Sequence, residues 1–222
     1  MSRAADRRQT ILGEIAKAAS LAKRDPAEVH LIAVSKGRSA EEIEALIAAG
    51  QRDFGENRVQ EALEKWRPLK ARYPDVRLHG VGRLQSNKVA EAVRLFDTIH
   101  SLDRPSLLDA LIKEAVRAQS LPSVYIQVNI GEEEQKGGCP IDKIGALVEA
   151  MRASPLQLAG LMAIPPLGVE PSPYFALLAE HARRHGVIGL SIGMSSDFRA
   201  AVMLGATAVR IGTSLFEDRD EI

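Results

Sequence analysis

The sequence predicts an α/β fold, a single (β/α)8 TIM barrel preceded by an extra N-terminal helix, and three observations predict it. Eight short apolar, strand-like runs alternate with helical patterns, at roughly one unit per 25 residues. The last run is as apolar as the first, so the two can pair and close the sheet. The third is residues 190–216, LSIGMSSDFRAAVMLGATAVRIGTSLF, where two consecutive runs each end in a Gly-containing turn carrying Ser or Thr. Barrels of this kind commonly bind phosphate in the loops after strands 7 and 8.

An amphipathic helix over residues 4–22 comes first, with Ile11, Ile15 and Ala18 on one stripe. The predicted strands follow at residues 29–36, 53–57, 77–82, 98–103, 124–131, 156–164, 189–194 and 208–216. The helices between them carry start and stop signals. Ser39 with Glu42 fits a capping box, Gly50 and Gly205 follow helix ends, and Pro105 and Pro140 sit in first turns. No linker or low-complexity tract interrupts the pattern, so residues 1–222 are expected to form one domain.

Composition narrows the function classes. The 29 basic and 29 acidic residues leave no global field for nucleic acid or an anionic membrane. The one cysteine, Cys139, excludes an internal disulfide; no run approaches the ~20 apolar residues of a membrane span, and the Arg-rich start lacks a signal-peptide core. A cytoplasmic monomer is expected. Cys139 precedes a helix start, where a thiol pKa can fall, but a lone cysteine is most often a packing residue and is assigned no role. No His, Cys or Asp spacing suggests a metal.

The turns in residues 190–216 read as a phosphate cradle. Gly193 and Gly212 allow close backbone approach, Ser195 and Thr213 add hydroxyls, and a helix opening at Ser195 or Ser196 points free N–H groups at the same place. Lys36 ends the first strand with the parity of Ile32 and Val34, which places its amine in the barrel mouth. Partial desolvation and neighbouring cations there would favour the neutral amine needed for a Schiff base; the alternative is a lysine reaching past the strand end to solvent. Arg210 alternates inward between Val209 and Ile211. It either pairs with a carboxylate such as Asp103 or donates to a ligand. Tyr125, Gln127 and Asn129 share the inward face of strand 5, and Asn57 and Asn129 are candidate pocket residues, unless they serve loop backbone instead. His79 reads as a hydrogen-bonded core histidine. A lysine, a phosphate cradle and an inward arginine together describe a site for an aldehyde bearing a phosphate, such as pyridoxal 5′-phosphate (PLP). A class I aldolase acting on a sugar phosphate is the alternative, and Arg210, a planar donor suited to a ring nitrogen, favours the vitamin cofactor.

The chain resembles, throughout its length, the YggS/PROSC family of pyridoxal-phosphate-binding proteins. The likeness rests on AVSKGRS around Lys36, FGENRVQE at residues 54–61, HGVGRLQSNK at 79–88, VNIGEEEQKGG at 128–138, GLMAIPP at 160–166, and LSIGMSSDF with VRIGTSLF near the end. The resemblance implies that Lys36 holds PLP as a Schiff base, that Ser195, Gly212 and Thr213 hold the phosphate, and that Arg210 faces the pyridine nitrogen. It also implies a role in intracellular PLP homeostasis. The sequence departs from the family at Leu78, usually aromatic, at Arg38, usually lysine, and at Glu217, usually glycine.

A donor-only arginine leaves the pyridine nitrogen without a proton of its own and weakens the electron sink that a PLP enzyme needs. The barrel racemases that the fold resembles also take a second acid or base from a further domain, which is not expected here. The sequence therefore reads as a non-catalytic carrier with no catalytic residues, contacting apo PLP-dependent enzymes transiently; a small racemase-like enzyme is the alternative. Lys136, next to Gly137 and Gly138 in the loop after strand 5, is a candidate for releasing the cofactor by transimination, or else a surface lysine balancing Glu132, Glu133 and Glu134.

Overall fold

A computed structural model describes residues 3–217, and its eight parallel strands hydrogen-bond in chain order into a closed barrel. The strands are β1 (His30–Val34), β2 (Asp53–Glu56), β3 (Arg77–Gly80), β4 (Thr98–Leu102), β5 (Ser123–Gln127), β6 (Gln157–Met162), β7 (Leu190–Ser191) and β8 (Ala208–Ile211). Closure is made by β8 against β1, with Leu31 opposite Val209 and Ile32 opposite Arg210.

Helices cover the outside: α1 (Arg3–Leu21), α2 (Ala40–Ala48), α3 (Val59–Arg72), α4 (Val89–Leu95), α5 (Pro105–Ala118), α6 (Ile144–Arg152), α7 (Ser172–Arg184), α8 (Phe198–Met203) and α9 (Thr213–Phe216). The extra helix α1 buries Ile11, Ile15, Ala18 and Ala19 against α2, α8 and α9, and Glu14 meets Arg199 of α8 at 2.8 Å. The expected capping box at α2 is present in both directions, Ser39 with the Glu42 N–H and Glu42 with the Ser39 N–H.

Burial separates two compartments. One continuous apolar cluster lies between sheet and helices and takes in Leu31, Ala33, Phe54, Trp66, Leu78, Val209 and Ile211. Ile32, Met162 and Ala208 are also buried but stand apart from it, in the barrel interior with polar His79, His100, Ser191 and Arg210. Period-2 alternation sorts side chains between the two, so one-residue parity decides whether a group is packing or chemistry.

Most strands stop short of the lengths read from sequence. β1 ends at Val34 rather than Lys36, β5 at Gln127 rather than Gly131, and β8 at Ile211, where residues 213–216 form α9 instead of continuing the strand. The helix read at Ser195 or Ser196 starts later, at Phe198, after a turn. The cause is common to all: apolar runs continue past the last ladder bond into the mouth, where the backbone turns and the side chains line a hollow. The alternation nevertheless carries through, and the residues past the ladder keep the predicted sides.

Candidate functional site

A cavity of about 560 Å³ opens at the C-terminal ends of the strands. Its wall includes all six residues singled out from sequence: Lys36, Asn57, Ser195, Arg210, Gly212 and Thr213. Gln127, Asn129 and Lys136 also line it. Gly193 does not; its φ of +92° and a Cβ position 2.6 Å from the Ala201 methyl make it a turning residue packed on α8.

The floor is Arg210. Its guanidinium is fixed from below, Nη1 donating to the Ser191 carbonyl and Oγ, each at 2.6 Å, and Nη2 to the Ala163 carbonyl at 3.1 Å. The proposed pairing with Asp103 is not made, because Asp103 holds Arg104; among the described residues no carboxylate lies within ion-pair distance of Arg210. Its Nε–H has no protein acceptor among the described residues. Burial lowers the Arg210 pKa to about 10, which still leaves it charged at neutral pH.

Beneath Arg210 a chain of hydrogen bonds crosses the barrel. Ser191 Oγ lies 2.9 Å from His100 Nδ1, His100 Nε2 lies 3.0 Å from His79 Nδ1, and His79 Nε2 lies 3.0 Å from Asp53 Oδ1. Asp53 as a carboxylate only accepts, so His79 donates from Nε2 and accepts at Nδ1 when neutral; His100 then donates from Nε2 and accepts at Nδ1 from the Ser191 hydroxyl. If both rings are neutral, every link points one way, from Arg210 to Asp53. Burial, with His79 and Arg210 close by, pushes the His100 pKa well below the ordinary 6.5, in keeping with that assignment. Burial would raise the Asp53 carboxyl, but hydrogen bonds from His79 and Arg77 outweigh it and hold the pKa below its usual value. Tyr125 stacks on His100 at 4.4 Å inside the barrel and does not line the cavity.

The backbone N–H groups of Ser195, Ser196, Gly212 and Thr213 in the two cradle turns have no acceptor among the described residues, and Ser195, Gly212 and Thr213 line the cavity. At Gly212 a built Cβ would stand 3.5 Å from the Val34 carbonyl oxygen, so packing leaves room there, and the residue lines the cavity. Lys36 sits two residues past β1, within the turn in which the Arg38 N–H meets the Ser35 carbonyl at 3.1 Å. Its side chain has the expected parity but is exposed at the cavity edge rather than partly desolvated.

Five cations line the cavity, Lys36, Arg38, Arg83, Lys136 and Arg210, and no carboxylate does. Arg38 and Glu217, two of the departures from the family pattern, form an ion pair with each other across 179 residues. Lys136 reaches Glu133 at 2.6 Å and the Pro165 carbonyl at 3.2 Å, so it balances an acidic neighbour and lines the cavity as well. Asn129 serves both purposes too, bonding the Glu133 backbone in both directions from the wall. The lowered thiol pKa entertained for Cys139 is overturned: burial, with Asp103 nearby, pushes it up to about 12. Among the described residues no group of His, Cys, Asp or Glu is placed to hold a metal, and no helix is long and apolar enough to cross a membrane.

Donor-rich turns, a fixed cation on the floor and a lysine at the edge fit a phosphorylated aldehyde with a ring nitrogen. Comparison with known proteins agrees. The family model for the alanine racemase N-terminal domain matches residues 12–220. A pyridoxal phosphate homeostasis protein of Pseudomonas aeruginosa is 41% identical, over 99% of this chain and 97% of its own length. One from Aquifex aeolicus is 40% identical, over 97% and 98%. PipY of Synechococcus elongatus PCC7942, solved with PLP bound, superposes with a TM-score of 0.78 at 40% identity, covering 91% of this chain and 99% of that one. The chain belongs to the pyridoxal phosphate homeostasis proteins, a family with the alanine racemase N-terminal barrel.

Proposed function

We propose that this protein binds PLP in the mouth cavity, covalently through Lys36, and serves PLP homeostasis as a non-catalytic carrier. The observation that carries the reading is the meeting of Lys36, Arg210 and the unpartnered amides of the two cradle turns around one hollow. The names of the relatives and the PLP-bound PipY structure support it. When bound, the cofactor supplies an aldehyde carbon that an amine can capture, together with a phosphate and a pyridine nitrogen.

The chain's own residues divide the work. Ser195, Gly212 and Thr213 hold the phosphate by N–H and hydroxyl donors aimed from rigid turns. Arg210 donates to the ring nitrogen and, with no proton to lose at neutral pH, keeps that nitrogen unprotonated. Asn57 closes the wall toward β2. Lys36 supplies the amine, and Lys136 is the second amine that displaces it on release. The lining carries no carboxylate, imidazole, phenol or thiol among the described residues, which favours a carrier over a racemase-like enzyme. The reading extends to a cytoplasmic monomer that meets apo-enzymes transiently.

The test has two arms. Binding is measured with PLP and with pyridoxal, and amino acids are incubated with the loaded protein in deuterated water. PLP binds far more tightly than pyridoxal, and the α-protons of the amino acids do not exchange at enzymatic rates. Equal binding removes the cradle, and rapid exchange makes the protein an enzyme.

A further inference from the structure

A second basic hollow lies beside the cofactor cavity. A groove of about 870 Å³ occupies the rim formed by the loops after β2, β3 and β4. Each loop brings cations to it: Arg58 after β2, Arg83 and Lys88 after β3, and Arg104 after β4. No carboxylate lines it, although the chain as a whole has as many acidic as basic residues. The nearest acidic side chains are engaged from outside the lining. Asp103 holds Arg104, Glu91 meets Lys88 at 3.2 Å, and Glu61 accepts from the Gly37 N–H and from Lys65.

Two of the four cations are positioned by hydrogen bonds and two are not. Arg104 Nη2 donates to Ser86 Oγ at 3.1 Å, and Lys88 Nζ to Gln60 Oε1 at 3.3 Å. Arg58 and Arg83 are exposed and, among the described residues, make no hydrogen bond or close ion pair, although Arg58 lies near enough to Glu61 to help hold its carboxyl below the usual value. The groove runs into the cofactor cavity, because Asn57, Gly82 and Arg83 line both. The junction is clasped by backbone: a Cβ on Gly82 would stand 2.1 Å from the Asn57 carbonyl oxygen, so only glycine lets the two loops meet there.

We propose that this groove is a second anion site, which takes a phosphate monoester of the cofactor's size on its way into or out of the cavity; the proposal rests on the PLP reading above. Continuity with the cavity argues for a small ligand. A nucleic-acid surface would extend its cations along a face, whereas these four ring one hollow that leads inward. Long, water-exposed side chains bind a phosphate reversibly and in a salt-sensitive way, which suits a waiting position rather than a resting one.

The experiment uses holoprotein whose cofactor has been fixed to Lys36 by borohydride, titrated calorimetrically with pyridoxamine 5′-phosphate, which has no aldehyde to react with lysines. Pyridoxamine and inorganic phosphate are the comparison probes. One further equivalent of pyridoxamine 5′-phosphate binds, inorganic phosphate competes, and pyridoxamine does not bind. Affinity falls at least tenfold in Arg58→Ala/Lys88→Ala and returns in Arg58→Lys/Lys88→Arg, while labelling at Lys36 stays the same in all three proteins. Absence of the second equivalent, or equal affinity in the double alanine variant, overturns the proposal. Tighter binding of a short single-stranded DNA or an acidic peptide than of the phosphate probe also overturns it. If the wild type takes no label at Lys36, the cofactor reading fails instead, and the same titration on unlabelled protein reads the groove alone.

Discussion

On the rim after β7 and β8 the polar groups are backbone N–H groups and short hydroxyls, from Ser195, Ser196, Gly212 and Thr213; on the rim after β2, β3 and β4 they are long charged side chains, Arg58, Arg83, Lys88 and Arg104. The first set is carried by backbone where a strand passes into a helix, so its directions follow the fold. The second set moves with its side chains and is screened by salt. One barrel mouth thus offers two kinds of anion site, one suited to holding and one to exchange. The holding side is also supported from below, where Arg210 is braced through Ser191, His100 and His79 to Asp53; in the groove, among the described residues, Arg104 meets Asp103, whose side chain is buried, and no such chain runs on from it.

The largest effect that separates the two rims is expected at Lys36. Lys36→Ala abolishes covalent attachment, read as loss of the bound-cofactor absorbance, and leaves weaker, phosphate-dependent binding. A retained absorbance band would assign the attachment to another amine, with Lys136 the nearest candidate on the cavity wall.

Next come the cradle hydroxyls. Ser195→Ala and Thr213→Ala each weaken PLP binding by about 1 to 3 kcal/mol through loss of a charge-assisted hydrogen bond. That is roughly 5- to 150-fold in Kd. Losses of this size that persist at high salt distinguish the holding rim from the groove, whose contribution fades with salt. Losses that disappear with salt would make the two rims alike.

The smallest effect tests the brace. His100 stays neutral in the folded protein well below 6.5, whereas in the unfolded chain it takes a proton near that value. The unfolded state therefore binds more protons as pH falls below about 6.5, and stability drops with it, by up to about 1.4 kcal/mol per pH unit for one group. Asp53 adds a loss of the same sign at lower pH, since its folded pKa is also depressed. Chemical denaturation from pH 7 to 5 shows this slope in the wild type and a shallower one in His100→Gln. An unchanged slope would remove His100 from the acid sensitivity.

How much of this was legible in the sequence depended on local regularity. Arg210 was readable because β8 alternates without interruption, so its inward direction followed from Val209 and Ile211 on the other face. Lys36 was readable although its strand ends early, because the chain keeps its parity through the turn. His100 was not singled out: the register of β4 against β5 shifts between Ile99 and Leu102, both of which face the outer core, and simple alternation fails there. The start of α8 was displaced because the turn at residues 195–197 carries the same polar residues as a helix cap. The Arg38–Glu217 pair joins the loop after β1 to the residue after α9, and no local pattern in either segment announces it. The groove, too, depends on three loops meeting, so its cations read as scattered surface charges until the barrel closes.

The most direct measurement is peptide mapping after borohydride reduction of the protein loaded with one equivalent of PLP. The account predicts a single pyridoxyl modification on Lys36, with Lys136 and Lys88 unmodified. A label spread over several lysines, or concentrated on one other than Lys36, would contradict it.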